Sequence, residues 1–381
     1  MSNSQKRIWL SPPHLSGSEE KYLSQTLASG WIAPAGENID AFESAVTASL
    51  GGNLFGVAVN SGTAAIHLGL LQLGVGAGDE VICQSFTFAA SANPVVYCGG
   101  VPVFVDSEED TWNMDPVLLE KAILDRKEKT GKFPKAIVPV HLYGMPAKMV
   151  EICAVAEKYG IPVLEDAAEA LGAEYKGRKC GTFGEFAAIS FNGNKVITTS
   201  AGGIALCRAR ETRENILKLA TQARENRPYY HHEKIGYNYR MSNVCAAIGR
   251  GQMEVLAAHI ARRREIHAHY TRLLAGTPGL TVKQAPSSDF DSNFWLTCIL
   301  VDSSAKITNT QLRERLAEAN IESRLLWKPM HLQPVYASNA FYGNGVSEDL
   351  FGRGLCLPSG SGMTDADVER VAEAIKQAVW G

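Results

Sequence analysis

Residues 55–74, FGVAVNSGTAAIHLGLLQLG, hold a short apolar β-rich run, a glycine turn and an apolar-periodic helix in direct succession. The order strand, turn, helix repeats down the chain. Strand-like runs DEVICQ (79–84), VPVFVD (101–106), KAIVPVHL (135–142), IPVLEDAA (161–168), FAAISF (186–191) and GGIALC (202–207) follow, with longer helical patterns between them, among them a segment from Gln84 through Val96. Such alternation predicts crossover units feeding a mostly parallel α/β sheet covered on both faces. Ligands of such sheets gather at the carboxyl ends of strands, which is where chemistry is to be sought. A helical stretch near 244–274 reads as the connector to a smaller α+β region. That region holds SNFWLTCILV as a strand, TNTQLRERLAEAN as a capped helix and a closing helix, TDADVERVAEAIKQAVW. Two domains are expected, 1–250 with the large sheet and 251–381 with the connector and the smaller unit.

Composition narrows the partners. The 381 residues are 45% hydrophobic with a net charge of -3, so nothing in the charge balance attracts nucleic acid or an anionic membrane. No run reaches the roughly 18 apolar residues of a spanning helix, and the N-terminus lacks a signal-peptide core. The eight cysteines stand singly with no C-x-x-C pair, reading as buried thiols of a reducing cytoplasm, and no metal site is expected. The adjacent His231 and His232 lack further spaced ligands and read as loop residues.

Three strand ends carry candidate chemistry. Asn60-Ser61-Gly62-Thr63 opens a helix and offers free N–H groups and a hydroxyl to a phosphate, although Ser and Thr there are equally a simple cap. Asp166, with Glu169 three residues on, ends the run IPVL. Its carboxylate suits a pyridinium nitrogen, and equally the cap of a following helix. Ser190-Phe191-Asn192-Gly193-Asn194-Lys195 then places an amine among small residues between two buried strands, a setting in which it can form an imine with an aldehyde. The order of the three, phosphate cradle, acid and lysine, points to pyridoxal phosphate. The glycines at 74, 76 and 78 lack G-x-G-x-x-G spacing and precede a strand, which sets aside a nicotinamide dehydrogenase.

The chain resembles the fold-type-I (aspartate-aminotransferase-like) pyridoxal phosphate enzymes and, within them, the DegT/DnrJ/EryC1/StrS sugar aminotransferases. The segments that carry the likeness are SPPHLSGSEEKYLSQTLASGWIAPAGENIDAFE, NSGTAAIHL, the run from GDEVICQSFTFAAS to VPVFVD, VPVHLYGMPA, EDAAEALGA, SFNGNKVITTSAGG and GYNYRMSNVCAAIG. The resemblance implies a mostly parallel seven-stranded sheet in the large domain. It implies that Lys195 holds the cofactor as a Schiff base and Asp166 pairs with the ring nitrogen. Phe88 would stack on the ring, Gly62, Thr63 and Ser190 contact the phosphate, and Asn194 belong to the same site. Glu169 falls near the ring's 3-hydroxyl, where Gln or His is more familiar. Ser200-Ala201 stands where many relatives carry Gly-Glu.

The likeness of GYNYRM implies that Asn238 reaches the phosphate of a neighbouring subunit, making a homodimer with composite sites. It also implies pyridoxamine phosphate as intermediate, glutamate as amino donor and a nucleotide sugar as acceptor. Tyr229, His231, Arg324, Trp327 and His331 are the candidate sugar-nucleotide contacts, with Arg224 and Arg227 available to a diphosphate. SFNGNK and WKPMHLQPV most resemble enzymes aminating C4 of a 4-keto-6-deoxy hexose. The UDP-4-amino-4,6-dideoxy-N-acetylglucosamine (bacillosamine-type) makers come first and GDP-perosamine makers second, with 3-keto sugar enzymes as a further alternative. The sugar dehydratases sharing the fold carry histidine in place of Lys195. A binding or regulatory protein that lost turnover is the reading from another class, and the intact set of Lys195, Asp166 and Gly62-Thr63 argues against it.

Overall fold

The computed structural model describes residues 6–51 and 53–380; the first five residues of the N-terminal stretch read above lie outside it. The expected runs form strands β1 (Phe55–Val59), β2 (Glu80–Gln84), β3 (Val101–Val105), β4 (Ala136–Val138), β5 (Leu164–Asp166), β6 (Phe186–Ser190) and β7 (Gly203–Cys207). Two ladders, β3-β2-β4 and β5-β6-β7-β1, join through parallel bridges Ile137↔Val163 and Val140↔Asp166. The seven-stranded sheet is parallel except for β7, which runs antiparallel to both β1 and β6. Helices cover both faces, so strand residues on either side are apolar and buried. Val57, Val59 and Leu164 pack against Ile66, Leu68 and Leu70 on one face. Ile82, Val103 and Ile137 pack against Ile123, Met149 and Ile152 on the other.

The register of β7 positions the site. Gly203 pairs with Val59 on one side and with Ser190 on the other. That draws the chain after β1 and the chain after β6 to the same edge, where a side chain at 203 has no room: a Cβ would lie 2.5 Å from the Ser61 carbonyl and 2.6 Å from the Gly62 nitrogen.

The smaller region is an antiparallel sheet in the order Leu280–Val282, Thr297–Val301, Gly354–Leu357, Arg324–Leu325. Its helices are Asn309–Glu318, with a reciprocal Thr308/Gln311 capping box, and Asp365–Trp380. Three local expectations change. The connector is two helices, Asn243–Glu254 and Leu256–Leu274, because Val255 leaves helical geometry at φ -113°, ψ 6°. The stretch after Gln84 is no continuous helix. It runs as a loop with a turn at Ala89–Ser91 and a helix Asn93–Tyr97 restarted at Pro94, because Ser85 still bonds to Val105 as an extension of the sheet. Phe341–Tyr342 leaves its neighbours to pair, parallel, with β3. All eight cysteines are free thiols; five are buried, and Cys98, Cys153 and Cys245, each on or at the end of a helix, are half-buried. Among the described residues no helix is long and apolar enough to cross a membrane, and no cluster of side chains suits a metal ion.

Candidate active site

The ends of β1, β5 and β6 open into a cavity of about 770 Å³ whose wall includes Gly62, Thr63, Phe88, Asp166, Glu169, Ser190, Asn194, Lys195, Arg324 and Trp327. Ser61 caps the helix Gly62–Gln72, its hydroxyl accepting from Ala64 N at 3.1 Å, and Gly62 and Thr63 turn their backbone to the cavity as the first helical residues. A Cβ on Gly62 would press to 3.0 Å of the Ser190 Cβ, so glycine keeps the Ser190 hydroxyl and the helix start together.

Asp166 is buried at the end of β5. Its Oδ2 accepts from the Ser91 hydroxyl at 2.6 Å, and that hydroxyl lies 2.6 Å from Thr87 Oγ1. Oδ1 accepts from Ala168 N at 3.2 Å in a turn with no helix after it. The acid is therefore oriented toward the cavity by hydroxyls, a use beyond capping.

Lys195 lies in the turn after β6, its N–H bonded to Asn192 O at 3.0 Å. Nζ donates to Glu169 Oε1 at 3.1 Å and lies 4.2 Å from the centroid of the Trp295 ring. The other Glu169 oxygen accepts from Tyr143 N at 2.8 Å. Burial pushes the Glu169 carboxyl up to about 7, against the pull of the Lys195 ammonium in the other direction. Asn194 turns its carbonyl away from the cavity to the Trp295 indole at 2.6 Å and the Ser11 hydroxyl at 2.8 Å.

Phe88, 59% exposed, lines the cavity with its ring 5.6 Å from the Trp327 ring. Behind this wall Tyr143, at φ 54°, supports Trp327: its hydroxyl accepts from Trp327 N at 2.9 Å.

Six sequence-predicted residues, Arg224, Arg227, Tyr229, His231, Asn238 and His331, stand outside this cavity. Tyr229 and His231 belong to an exposed loop, where His231 lies 3.5 Å from Glu233, and Arg224 stacks over Tyr230. Asn238 is exposed too, its Oδ1 accepting from Gln222 at 3.0 Å while its carbonyl accepts from Asn60, itself a cavity residue. His331 does not line this cavity either. Both ring nitrogens are committed, Nδ1 to Ser85 Oγ at 2.7 Å and Nε2 to Glu348 at 3.1 Å, and the ring stacks 3.5 Å from Phe341. It fastens the floor segment to the sheet.

Sequence reading missed Trp295, Asn192, Thr87 and Lys328, all of which line the cavity. Thr87 and Asn192 sat inside motifs already singled out; Trp295 gave no local signal, being one apolar residue at the start of a strand.

An acid at the back, an amine in front of it, an exposed aromatic and a helix start with hydroxyls are the donor set pyridoxal phosphate requires, and the glycines at 62 and 203 clear the cradle for its phosphate. Fold and site together define a fold-type-I, pyridoxal-phosphate-dependent enzyme. Residues 13–376 match the DegT/DnrJ/EryC1/StrS aminotransferase family, and the chain belongs to it. It is similar to the putative pyridoxal phosphate-dependent aminotransferase EpsN of Bacillus subtilis (strain 168), 48% identical over 97% of this chain and 95% of that protein. A GDP-perosamine synthase of Caulobacter vibrioides is 38% identical over 98% of each chain. The PLP form of a putative sugar aminotransferase, Spr1654 of Streptococcus pneumoniae, superposes with a TM-score of 0.90 at 27% identity, over 98% of this chain and 99% of that one. The protein is a pyridoxal-phosphate-dependent sugar aminotransferase.

Proposed function

We propose that the enzyme moves an amino group from glutamate to C4 of a nucleotide-linked 4-keto-6-deoxy hexose, a UDP-linked N-acetyl sugar first, for surface glycan synthesis. The observation that carries the reading is the Lys195 amine held 3.1 Å from Glu169 in a cavity that also contains the Asp166 carboxylate. Bound pyridoxal phosphate supplies an aldehyde that exchanges amines and a ring that withdraws electrons from the substrate carbon. The residues of this chain do the rest. Asp166, oriented by Ser91, would hold the proton on the ring nitrogen; Gly62, Thr63 and Ser190 would take the phosphate; Phe88 would lie against the ring. Lys195 is the amine that would bond the aldehyde, and it would carry the proton at the substrate carbon. Glu169 receives and returns the lysine's proton.

The acceptor lies over Trp327, with Arg324 and Lys328 lining the cavity to either side to meet its diphosphate. Asn238 and the exposed Tyr229 and His231 then serve the cavity of a second protomer in a homodimer. Amination at C4 is supported by the perosamine synthases and by a UDP-4-amino-4-deoxy-L-arabinose–oxoglutarate aminotransferase from Shewanella sediminis, 34% identical over 94% of this chain. The GDP-perosamine synthases at 36–38% identity favour a GDP-linked ketone as the second reading. A panel of UDP-, GDP- and dTDP-linked 4-keto and 3-keto sugars with glutamate tests both. A 4-amino product from the UDP sugar is expected; faster turnover of the GDP sugar transfers the assignment, and amination at C3 ends it.

A further inference from the structure

Arg263, on the helix Leu256–Leu274, is among the largest fully buried side chains, 1% exposed. Among the described residues no carboxylate pairs with it. Its partners are neutral oxygens drawn from four separate segments. Nη1 donates to Trp295 O at 2.7 Å and to Ser359 O at 2.8 Å. Nη2 donates to the Ser11 hydroxyl at 3.1 Å and to Lys195 O at 3.3 Å, and Nε has no partner. The Ser11 hydroxyl in turn donates to Asn194 O, which also takes the Trp295 indole.

Burial without a counter-ion is unfavourable to a guanidinium and pushes it down to about 9. The neighbouring titratable groups do not offset it. His259, one turn earlier on the same helix, is pushed down to about 4 by burial, and His14 from the N-terminal segment stacks on His259 at 4.7 Å. Glu19, near that pair, is taken by Ser16 and Gln252. The segments bearing Trp295, Ser359 and Ser11 present no charge to it, and Lys195 presents its carbonyl.

A cation held against its own desolvation cost needs a reason, and its contacts supply one. The segments it touches bear on the lysine: the residue itself, Trp295, whose ring lies under its amine, Ser11, which with the Trp295 indole holds the Asn194 carbonyl, and Ser359, whose N–H holds Leu10 O next to Ser11. A planar fork with several fixed donors reaches such dispersed carbonyls; an ammonium does not. We propose that Arg263 is a positioning residue for Lys195, gathering the carbonyls of Lys195, Trp295 and Ser359 and the Ser11 hydroxyl so that Nζ stays between Glu169 and the Trp295 ring. The proposal rests on Lys195 being the residue that bonds the cofactor.

The test uses the full chain loaded with pyridoxal phosphate. In the unsubstituted enzyme, borohydride reduction followed by peptide mass mapping locates the cofactor. Label elsewhere than Lys195 overturns the reading of Lys195 itself, and label at Lys195 leaves Arg263 as the only question. Arg263→Met and Arg263→Lys are then compared by kcat, by KM for the ketosugar and by the pH midpoint of the bound cofactor's absorbance. Arg263→Met is expected to lower kcat roughly ten- to hundredfold with KM little changed, and to move the midpoint upward, because a nearby positive charge that disfavours protonation is gone. Arg263→Lys keeps the charge and loses the fork, so kcat falls while the midpoint stays. Should the methionine variant fail to fold, the lysine variant carries the test. A folded variant of either kind with unchanged kcat and midpoint, whatever its melting temperature, overturns the proposal.

Discussion

Lys195 Nζ and Glu169 Oε1 stand 3.1 Å apart in a wall that leaves the lysine side chain 13% exposed and the glutamate 3% exposed. The two arrive from different strand ends, Glu169 from the turn after β5 and Lys195 from the turn after β6. An acid here, in place of the more familiar amide or imidazole, gives the lysine a proton acceptor that belongs to the protein. Burial has raised that acid to about 7, so Glu169 itself changes protonation state near neutral pH.

Replacing Lys195 by Ala is expected to abolish borohydride fixation of the cofactor and to lower transamination by at least about a thousandfold. Gly62, Thr63 and Ser190, the proposed phosphate contacts, are untouched, so the apoenzyme should still take up pyridoxal phosphate. Mass spectrometry after reduction and a single-turnover assay read the two effects separately. Normal turnover by the purified variant would defeat the assignment.

The buried Glu169 also makes folding stability depend on pH in a defined direction. Below its ordinary value of 4.5 the carboxyl is protonated whether the chain is folded or not, and no penalty arises. Between 4.5 and about 7 the unfolded chain releases the proton while the folded chain keeps it, so this group's contribution to stability falls across that window and stays low above it. Glu169→Gln removes the titration. Relative to the unsubstituted apoenzyme it should gain about 3 kcal/mol at pH 8 compared with pH 4.5. Melting curves of the two proteins across that range check it, and a difference in Tm that does not vary with pH would refute it.

What the sequence disclosed and what it hid divide along a physical line. Strand ends are local: an apolar run that stops at a glycine, an acid or a lysine announces itself, and Gly62, Asp166 and Lys195 all line one cavity. Contacts made across the chain left no such mark. Trp295 is an apolar residue in an apolar run, and only packing brings its ring under the Lys195 amine. His331 lay in a motif expected to touch substrate, yet its partners Ser85 and Glu348 are 246 and 17 residues away, and no local pattern shows that both nitrogens are occupied. Phe341–Tyr342 joins the large sheet from a region read as part of the smaller domain, because pairing with the open edge of β3 satisfies backbone groups that a periodicity does not display.

Gly203 supplies a test of the cradle that removes no polar group. Its added Cβ would meet the Ser61 carbonyl at 2.5 Å, so Gly203→Ala must push the helix start away from Ser190. Overpacking of this kind costs about 1–3 kcal/mol, and the displaced N–H groups should weaken cofactor binding about tenfold. Absorbance titration of the apoenzyme with pyridoxal phosphate measures the affinity. An affinity equal to that of the unsubstituted protein would show that the phosphate does not sit on this helix start.

The exposed Asn238 allows the composite site to be tested without a structure of the dimer. Among the described residues its side chain is engaged only by Gln222, although the loop carrying it touches Asn60 of the cavity wall. If it completes the partner's phosphate site, Asn238→Ala alone should loosen pyridoxal phosphate and lower activity in proportion. Mixing that variant with Lys195→Ala then has an asymmetric result. One cavity of the mixed dimer carries both lesions; the other pairs an intact Lys195 with an intact Asn238 from the neighbour and is fully restored. Activity measured after co-refolding or co-expression should therefore rise above the average of the two parents, with half the cavities of each mixed dimer restored. If Asn238 acted within its own protomer, every cavity would keep one lesion and mixing would only average the parents. That averaging, seen in a preparation shown to contain mixed dimers, would refute the cross-subunit role.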